Sequence, residues 1–293
     1  MRSGFVAVLG RTNVGKSTIL NALIGRKVAI TTPKKQTTRT LIRAILTKDD
    51  FQMVFIDTPG IHKPKYALGE EMNKKVHRAL ADADVAVLVV DAGRPFNEGD
   101  HYALATLKFN CPLIIVFNKI DTTTFVMMEE LRAKYQERYP EAKLIETSAI
   151  RHFNIDLLEK TIYELLPEGP MYYPADYFVD TTQEFAITEI IREKTMLFTR
   201  EEIPHSIAVS IDKIEHYDDG IDVYASINVE KNSQKGIIIG KGGAMIKKIR
   251  HAAQHDIHCD LKLPVRLELF VKVYQNWRSN PKALKELNLL EDE

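Results

Sequence analysis

In the N-terminal part of the chain the apolar residues gather into short, near-continuous runs, the pattern of strands buried on both faces. Phe5–Leu9, Phe51–Ile56, Val85–Val90 and Leu113–Phe117 are four such runs, and Leu144-Ile145 opens a fifth. Ile19, Leu20, Leu23 and Ile24 follow the first run at helical spacing. Strands alternating with helical segments predict an α/β layer structure with a parallel sheet. Residues 61–84 are charged and partly helical, and are expected to be mobile.

Beyond residue 181 the pattern changes. Phe185, Ile187, Ile190, Ile191 and Leu197 outline a helix from Thr182. Ser206–Glu215 and Ile221–Val229 alternate around Asp218-Asp219-Gly220, which predicts a hairpin. The run Ile237–Ile239 meets a glycine-rich turn, a helix with Ile246 and Ile249 on one face follows, and Leu263–Val273 reads as a third strand. Between the halves, Leu165-Leu166-Pro167-Glu168-Gly169-Pro170, with Pro174 soon after, breaks all periodicity. The expected division is therefore 1–168, a connector over 169–181, and an α+β region over 182–293. Tyr172, Tyr173, Tyr177 and Phe178 make that connector too aromatic for free solvation, so they are expected to pack between the regions.

Composition narrows the setting. A chain of 293 residues suits two domains, and a formal net charge of zero gives no whole-molecule attraction to nucleic acid or membrane. Cys111 and Cys259 fall in different regions, so a disulfide framework is not expected and a reducing cytoplasm fits best. His251 and His255 share a helix face with His258 nearby, but no ligand pattern completes a zinc site. The longest apolar runs are far too short to cross a bilayer, and Arg2 with the five apolar residues before Gly10 does not make a secretory leader, so a soluble protein is expected.

The chemistry is carried by motifs at the ends of the expected strands. Gly10-Arg11-Thr12-Asn13-Val14-Gly15-Lys16-Ser17, followed by Thr18, is a phosphate-binding loop between a strand and a helix. Backbone N–H groups and the helix N-terminus converge there on an anion. Lys16 supplies charge at the β- and γ-phosphates, and Ser17 a hydroxyl for Mg²⁺. In the basic, threonine-rich stretch Lys34–Thr40, Thr38 is the expected second metal ligand, with Thr37 the next choice. Asp57-Thr58-Pro59-Gly60 places a carboxylate for the metal and a glycine whose N–H reaches the γ-phosphate. Asn118-Lys119-Ile120-Asp121 selects the base: the Asp121 carboxylate accepts both N1–H and N2–H of guanine, donors that adenine lacks. An ATPase or kinase reading fails here. Lys119 lies along the base and Asn118 ties this loop to the phosphate loop. At Thr147-Ser148-Ala149 a backbone N–H is expected to reach guanine O6.

Together these five motifs resemble the small GTPases with a Ras-like fold. One departure stands out: where Ras-type enzymes carry a glutamine that positions water, this chain has Ile61. It looks like the GTPases with a hydrophobic residue at that place, in which Lys16, Mg²⁺ and backbone donors do the work. Asn13 stands at the position that ligates K⁺ in potassium-activated relatives, and two roles remain open for it: placing K⁺, or bracing the loop.

In the second region, Gly240-Lys241-Gly242-Gly243 matches the Gly-x-x-Gly loop of KH domains, and the order of elements matches a type II KH domain. Lys235, Lys241, Lys247, Lys248 and Arg250 surround it with no acid from residue 235 to 250, a local site for single-stranded RNA. A Ras-like GTPase region followed by a type II KH region resembles the bacterial Era family over nearly the whole chain. Gln36-Thr37-Thr38-Arg39, Ile190–Lys194 and Leu267–Val273 add to the match. The resemblance implies a GTP-hydrolysing switch, monomeric and Mg²⁺-dependent. It further implies binding to the 3′ end of 16S rRNA and assistance to maturation of the 30S subunit. Some members associate peripherally with the inner face of the membrane. Two alternatives remain: an RNA-binding adaptor with a structural nucleotide site, which the intact Lys16, Ser17 and Asp57 oppose, and a membrane-transport, tRNA-modification or other ribosome-assembly GTPase.

Overall fold

The computed structural model describes residues 1–32, 34 and 36–290; Lys35 of the threonine-rich stretch and the last three residues lie outside the described residues. The chain forms two compact units, the first built from nearly all of the chain up to Asp180 and the second from Thr181 onward.

The first unit runs β1 (Arg2–Gly10), α1 (Lys16–Ile24), β2 (Ile42–Lys48), β3 (Phe51–Asp57), α2 (Ala67–Ala81), β4 (Val85–Asp91), α3 (Glu98–Thr106), β5 (Leu113–Asn118), α4 (Phe125–Arg138), β6 (Lys143–Thr147), α5 (Ile155–Leu165) and β7 (Val179–Asp180). Among the described residues the strands join in the order β6-β5-β4-β1-β3-β2-β7. The ladders from β6 to β3 are parallel, and β2 and β7 are antiparallel additions at one edge. The apolar runs become the central strands because each is covered on both faces. Val6–Leu9, Val85–Val89 and Ile114–Phe117 are all buried. Register then sets the chemistry. Val8 stands beside Asp57, Gly10 beside Val89, Asp91 beside Asn118, and Asn118 beside Thr147. Every motif therefore emerges on one rim of the sheet, at the carboxyl ends where α/β proteins bind ligands.

The second unit runs α6 (Gln183–Phe198), α7 (Ile203–Ser206), β8 (Ala208–Tyr217), β9 (Gly220–Val229), α8 (Asn232–Ile239), α9 (Ala244–Leu261), β10 (Val265–Val273) and α10 (Pro281–Glu286). Its sheet has the order β10-β9-β8, with β10 parallel and β8 antiparallel to β9. Ile187, Ile191, Ile238, Ile249, Ala253 and Ile257 from the helices bury one core with Val223, Ala225, Ile227 and Leu267 from the sheet. Trp277, fully buried, donates from its indole nitrogen to the Ser206 carbonyl at 3.1 Å, fixing the chain after the last strand. No helix of the described residues is long and apolar enough to cross a membrane.

Several sequence expectations are corrected. The strand Ile42–Lys48 was not foreseen, because at the sheet edge only part of it is buried. Residues 61–84 are not merely a charged mobile stretch: Met72, Val76, Ala79 and Leu80 of α2 are buried. The first hairpin strand begins at Ala208, since Ser206 still belongs to the helical turn α7, which carries Pro204 near its start. The third strand begins at Val265, because Pro264 ends its approach by accepting Ile221 N–H at 3.0 Å. The connector belongs to the first unit as far as Asp180. Gln52 receives the N–H groups of Tyr172 and Tyr173, the Ser3 hydroxyl donates to Pro170, and β7 pairs with Arg43 and Ala44. Its aromatic residues find partners in that unit: Tyr172 packs on Phe5, Tyr173 on Tyr177, and Phe178 beneath Arg26.

Candidate functional site

The phosphate loop links the central strand β1 to α1, whose N-terminus begins at Lys16. Gly15 has φ +100°, and a Cβ there would stand 2.3 Å from Asn118 Nδ2. Only glycine satisfies both the left-handed backbone and that approach. Asn118 uses the space to donate to the Val14 carbonyl at 2.9 Å, while its Oδ1 accepts from Thr147 and from Ala149 N–H. One amide therefore ties together the three loops that flank a nucleotide.

Lys16 is buried and reaches back across the loop to the carbonyls of Gly10 at 3.3 Å and Arg11 at 3.0 Å. Burial lowers its pKa to about 8, against the opposing attraction of Asp57. A triphosphate stabilises the charged ammonium, so the pKa rises again on binding. Above pH 8 the free protein must then take up a proton to bind. The expected result is an association constant for GTP that is level below pH 8 and falls about tenfold per pH unit above it. Nucleotide titrations between pH 7 and 9 check this.

Ser17, Thr38 and Asp57 converge. Ser17 Oγ donates to Asp57 Oδ2 at 2.7 Å, Thr38 Oγ1 lies 3.2 Å from Ser17 Oγ, and it donates to the same carboxylate oxygen at 3.3 Å. Two hydroxyls and one carboxylate form a hard, all-oxygen donor set of the kind Mg²⁺ takes together with phosphate oxygens. Thr38 is buried in this arrangement, so its segment is turned inward.

The Asp57–Gly60 turn lies against the phosphate loop. A Cβ on Gly60 would come within 2.6 Å of Thr12 Cα and 2.7 Å of Thr12 N. Thr58 spends its hydroxyl on the Val8 carbonyl at 2.8 Å, so its side chain braces the turn and does not face the loop. Ile61 N–H donates to the Gly10 carbonyl at 3.0 Å, and the side chain, 3% exposed, packs among Ala7, Leu9 and Val76. The alkyl group at this position is a core residue.

At the base end, Ser148 Oγ donates to Asp121 Oδ1 at 2.6 Å, and this bond holds the carboxyl below the usual carboxylate range. The carboxylate is thus ionised and fixed in orientation. Lys119 donates to the Asn13 carbonyl at 2.6 Å and to Asp91 Oδ2 at 2.7 Å, which stretches its methylene stem between the two loops. The backbone of Lys119, at φ +66°, is held in the left-handed region. The two amides of the segment expected to reach guanine O6 both have acceptors within the first unit. Ser148 N–H donates to the Phe153 carbonyl within its own loop, and Ala149 N–H donates to Asn118 Oδ1 at the end of β5.

Sequence reasoning missed two supporting carboxylates. Asp91 ends β4 and seats Lys119. Asp100 pairs with Arg11 at 2.7 Å, drawing the Arg11 side chain away from the phosphate loop toward α3. The only available signal was an acid at a strand end and one in the first turn of a helix, neither of which is a motif.

In the second unit, Gly240–Gly243 joins α8 to α9, with Gly242 and Gly243 at φ +59° and +77° and open space where their side chains would stand. Lys241 and Lys247 are exposed beside the turn, and Lys235 is half-buried on α8. Lys248 lies over the Phe198 ring and Arg250 pairs with Glu268 at 3.4 Å, so both are engaged within the unit.

The comparisons agree with this geometry. A model described as 50S ribosome-binding GTPase matches residues 5–119, and a KH domain model matches residues 202–278. The chain is 45% identical to GTPase Era of Caldanaerobacter subterraneus subsp. tengcongensis over 289 residues, which is 98% of this chain and 97% of that protein. It is also 45% identical to GTPase Era of Thermoanaerobacter sp. strain X514, covering 98% and 96%. A crystal structure of Era in complex with MgGDPNP and nucleotides 1506–1542 of 16S ribosomal RNA superposes at TM-score 0.95 with 36% identity, covering 99% of this chain and 100% of that one. A tyrosine-to-alanine variant of Aquifex aeolicus Era bound to GDP and AlF4⁻ superposes at 0.93, again with 36% identity, 99% and 100% coverage. A phosphate loop and the Asn118–Asp121 motif on one rim, a glycine-edged KH turn in the second unit, and full-length identity of this order lead to one family: the chain belongs to the Era GTPases.

Proposed function

We propose that this protein is a GTP-hydrolysing switch whose second unit binds the 3′ end of 16S rRNA and which assists maturation of the 30S subunit in the cytoplasm. The observation that carries the reading is that Ser17, Thr38 and Asp57 meet around one point. A hydroxyl from a long intervening segment reaches the phosphate loop there, as a γ-phosphate-sensing switch requires. Two facts support the RNA part: the open glycine turn, and the Era relative of matching structure crystallised with MgGDPNP and nucleotides 1506–1542 of 16S rRNA.

In this reading Lys16 neutralises the β- and γ-phosphates. Ser17, Thr38 and Asp57 hold Mg²⁺, which supplies charge stabilisation at the phosphoryl group. Gly60 N–H meets the γ-phosphate, and Asp121 pairs with guanine. Asn13 is assigned to a K⁺ that adds positive charge where no arginine is supplied. Hydrolysis frees Thr38 and Gly60, and affinity for RNA falls.

The test combines turnover with RNA binding. GTP hydrolysis is measured in potassium and in sodium buffer, and a faster rate in potassium is expected. Crosslinking to total RNA with a non-hydrolysable GTP analogue should map to the 3′ end of 16S rRNA and weaken with GDP. Gly242→Asp and Gly243→Asp add no clash and cost about 1 kcal/mol of backbone strain, so they should abolish crosslinks while GTP still binds. Crosslinks that persist in both variants, or equal affinity in the two nucleotide states, would refute the reading.

A further inference from the structure

With an alkyl residue buried at position 61, the next residue along carries a hydrogen-bonding side chain that turns back to the Gly60 turn. His62 Nδ1 lies 2.9 Å from the Gly60 carbonyl and Nε2 lies 3.0 Å from Gln36 Nε2. A carbonyl only accepts, so Nδ1 carries the proton; Nε2 of that neutral tautomer then accepts from the Gln36 amide. The Nδ1–H tautomer satisfies both bonds.

The backbone and the ring of His62 have further neighbours on α2. Asn73 Nδ2 donates to the His62 carbonyl at 3.0 Å, and at Gly69 a Cβ would stand 3.2 Å from His62 Nε2, so α2 packs close against the imidazole. The peptide between Gly60 and Ile61 is consequently pinned at both ends, its oxygen by His62 and its N–H by the Gly10 carbonyl at 3.0 Å. Gln36 lies two residues before Thr38 and has a left-handed backbone at φ +60°. An unfavourable backbone of this kind persists only where surrounding contacts hold it.

We propose that His62 is a positioning residue for GTP hydrolysis, a clasp that joins the metal-ligating segment at Gln36 to the γ-phosphate-facing turn at Gly60. It supplies, one residue later and through the backbone, part of the organisation that a side chain at position 61 gives in Ras-type enzymes. The clasp closes the two switch segments as one body, so either bond alone leaves the other segment free. The inference rests on the GTPase reading above.

The test is a double-mutant cycle on the full chain, with His62→Ala, Gln36→Ala and the pair, read as kcat and KM for GTP and as affinity for GDP. Each single variant should lower kcat about tenfold, and the pair should lose no more than either alone. KM and GDP affinity should stay within about twofold, since neither side chain touches base or phosphate. His62→Asn keeps a donor for Gly60 and His62→Gln an acceptor for Gln36, so each should recover only part of kcat. Unchanged kcat, losses that multiply in the pair, or losses carried by KM and GDP affinity would overturn the clasp. Absence of turnover in the wild-type protein would overturn the GTPase reading and the clasp with it, whereas turnover indifferent to all the variants overturns the clasp alone.

Discussion

Replacing Asp121 by asparagine should lower affinity for GTP and GDP by about a hundredfold or more and raise affinity for xanthosine nucleotides. The carboxylate presents two acceptors to the two N–H donors of guanine, and the amide turns one of them into a donor. Donor then faces donor, the mismatch by which polar sites reject analogues most strongly. Xanthine carries a carbonyl where guanine carries its amino group, so the amide finds an acceptor again. The variant should fold, because the amide oxygen can still accept from Ser148, as Asp121 Oδ1 does at 2.6 Å. Competition between a fluorescent guanine nucleotide and unlabelled GTP, GDP and XTP reads the change directly. Retention of tight GTP binding would mean that Asp121 does not select the base.

Gly60→Ala should separate binding from hydrolysis. Gly60 has no left-handed backbone to maintain, so the added methyl costs nothing locally. Its penalty is one of approach: the Cβ would lie 2.6 Å from Thr12 Cα and 2.7 Å from Thr12 N, and backbone atoms cannot step aside as a flexible side chain can. The turn must withdraw from the phosphate loop, taking its N–H away from the γ-phosphate. GDP, which has no γ-phosphate, should bind within about threefold of normal, while kcat for GTP falls on the order of a hundredfold, the effect of losing one preorganised donor to a developing charge. Single-turnover hydrolysis and GDP titration of the same preparation check both halves. Equal losses in GDP affinity and in hydrolysis would mean that the methyl damages the phosphate loop itself.

Both predictions draw on motif residues, and motif residues were legible from sequence because their chemistry is local. A phosphate loop needs a strand, a glycine at a left-handed position and a helix start in immediate succession, and Phe5–Ile24 contains all three in order. Asn118–Asp121 likewise follows directly on a buried strand. The KH turn was legible for the same reason, with Gly242 and Gly243 between two amphipathic helices. What was misread lay at edges and ends. The strand Ile42–Lys48 is half-exposed and gives a weak alternation, and the connector was read as a linker because proline and glycine outweighed the Gln52 amide that captures Tyr172 and Tyr173 from across the chain.

The sequence by itself determined the order of elements, the motifs that the sheet carries at one rim, and the presence of a GTPase region and a KH region on one chain. Each of these is written in residues within a few positions of one another, where backbone preference and side-chain type act together. Only the tertiary structure decided how those groups are held. Ser148 fixes Asp121 from 27 residues away, Asp91 seats Lys119 from 28, Gln36 reaches His62 across 26, and Asp100 draws off Arg11 across 89. No motif announces such pairs, because they depend on strand register and on which loops the sheet brings to its carboxyl rim. Ile61 shows the same division: the sequence shows that no hydrogen-bonding side chain stands there, and packing against Ala7, Leu9 and Val76 shows that it serves the core.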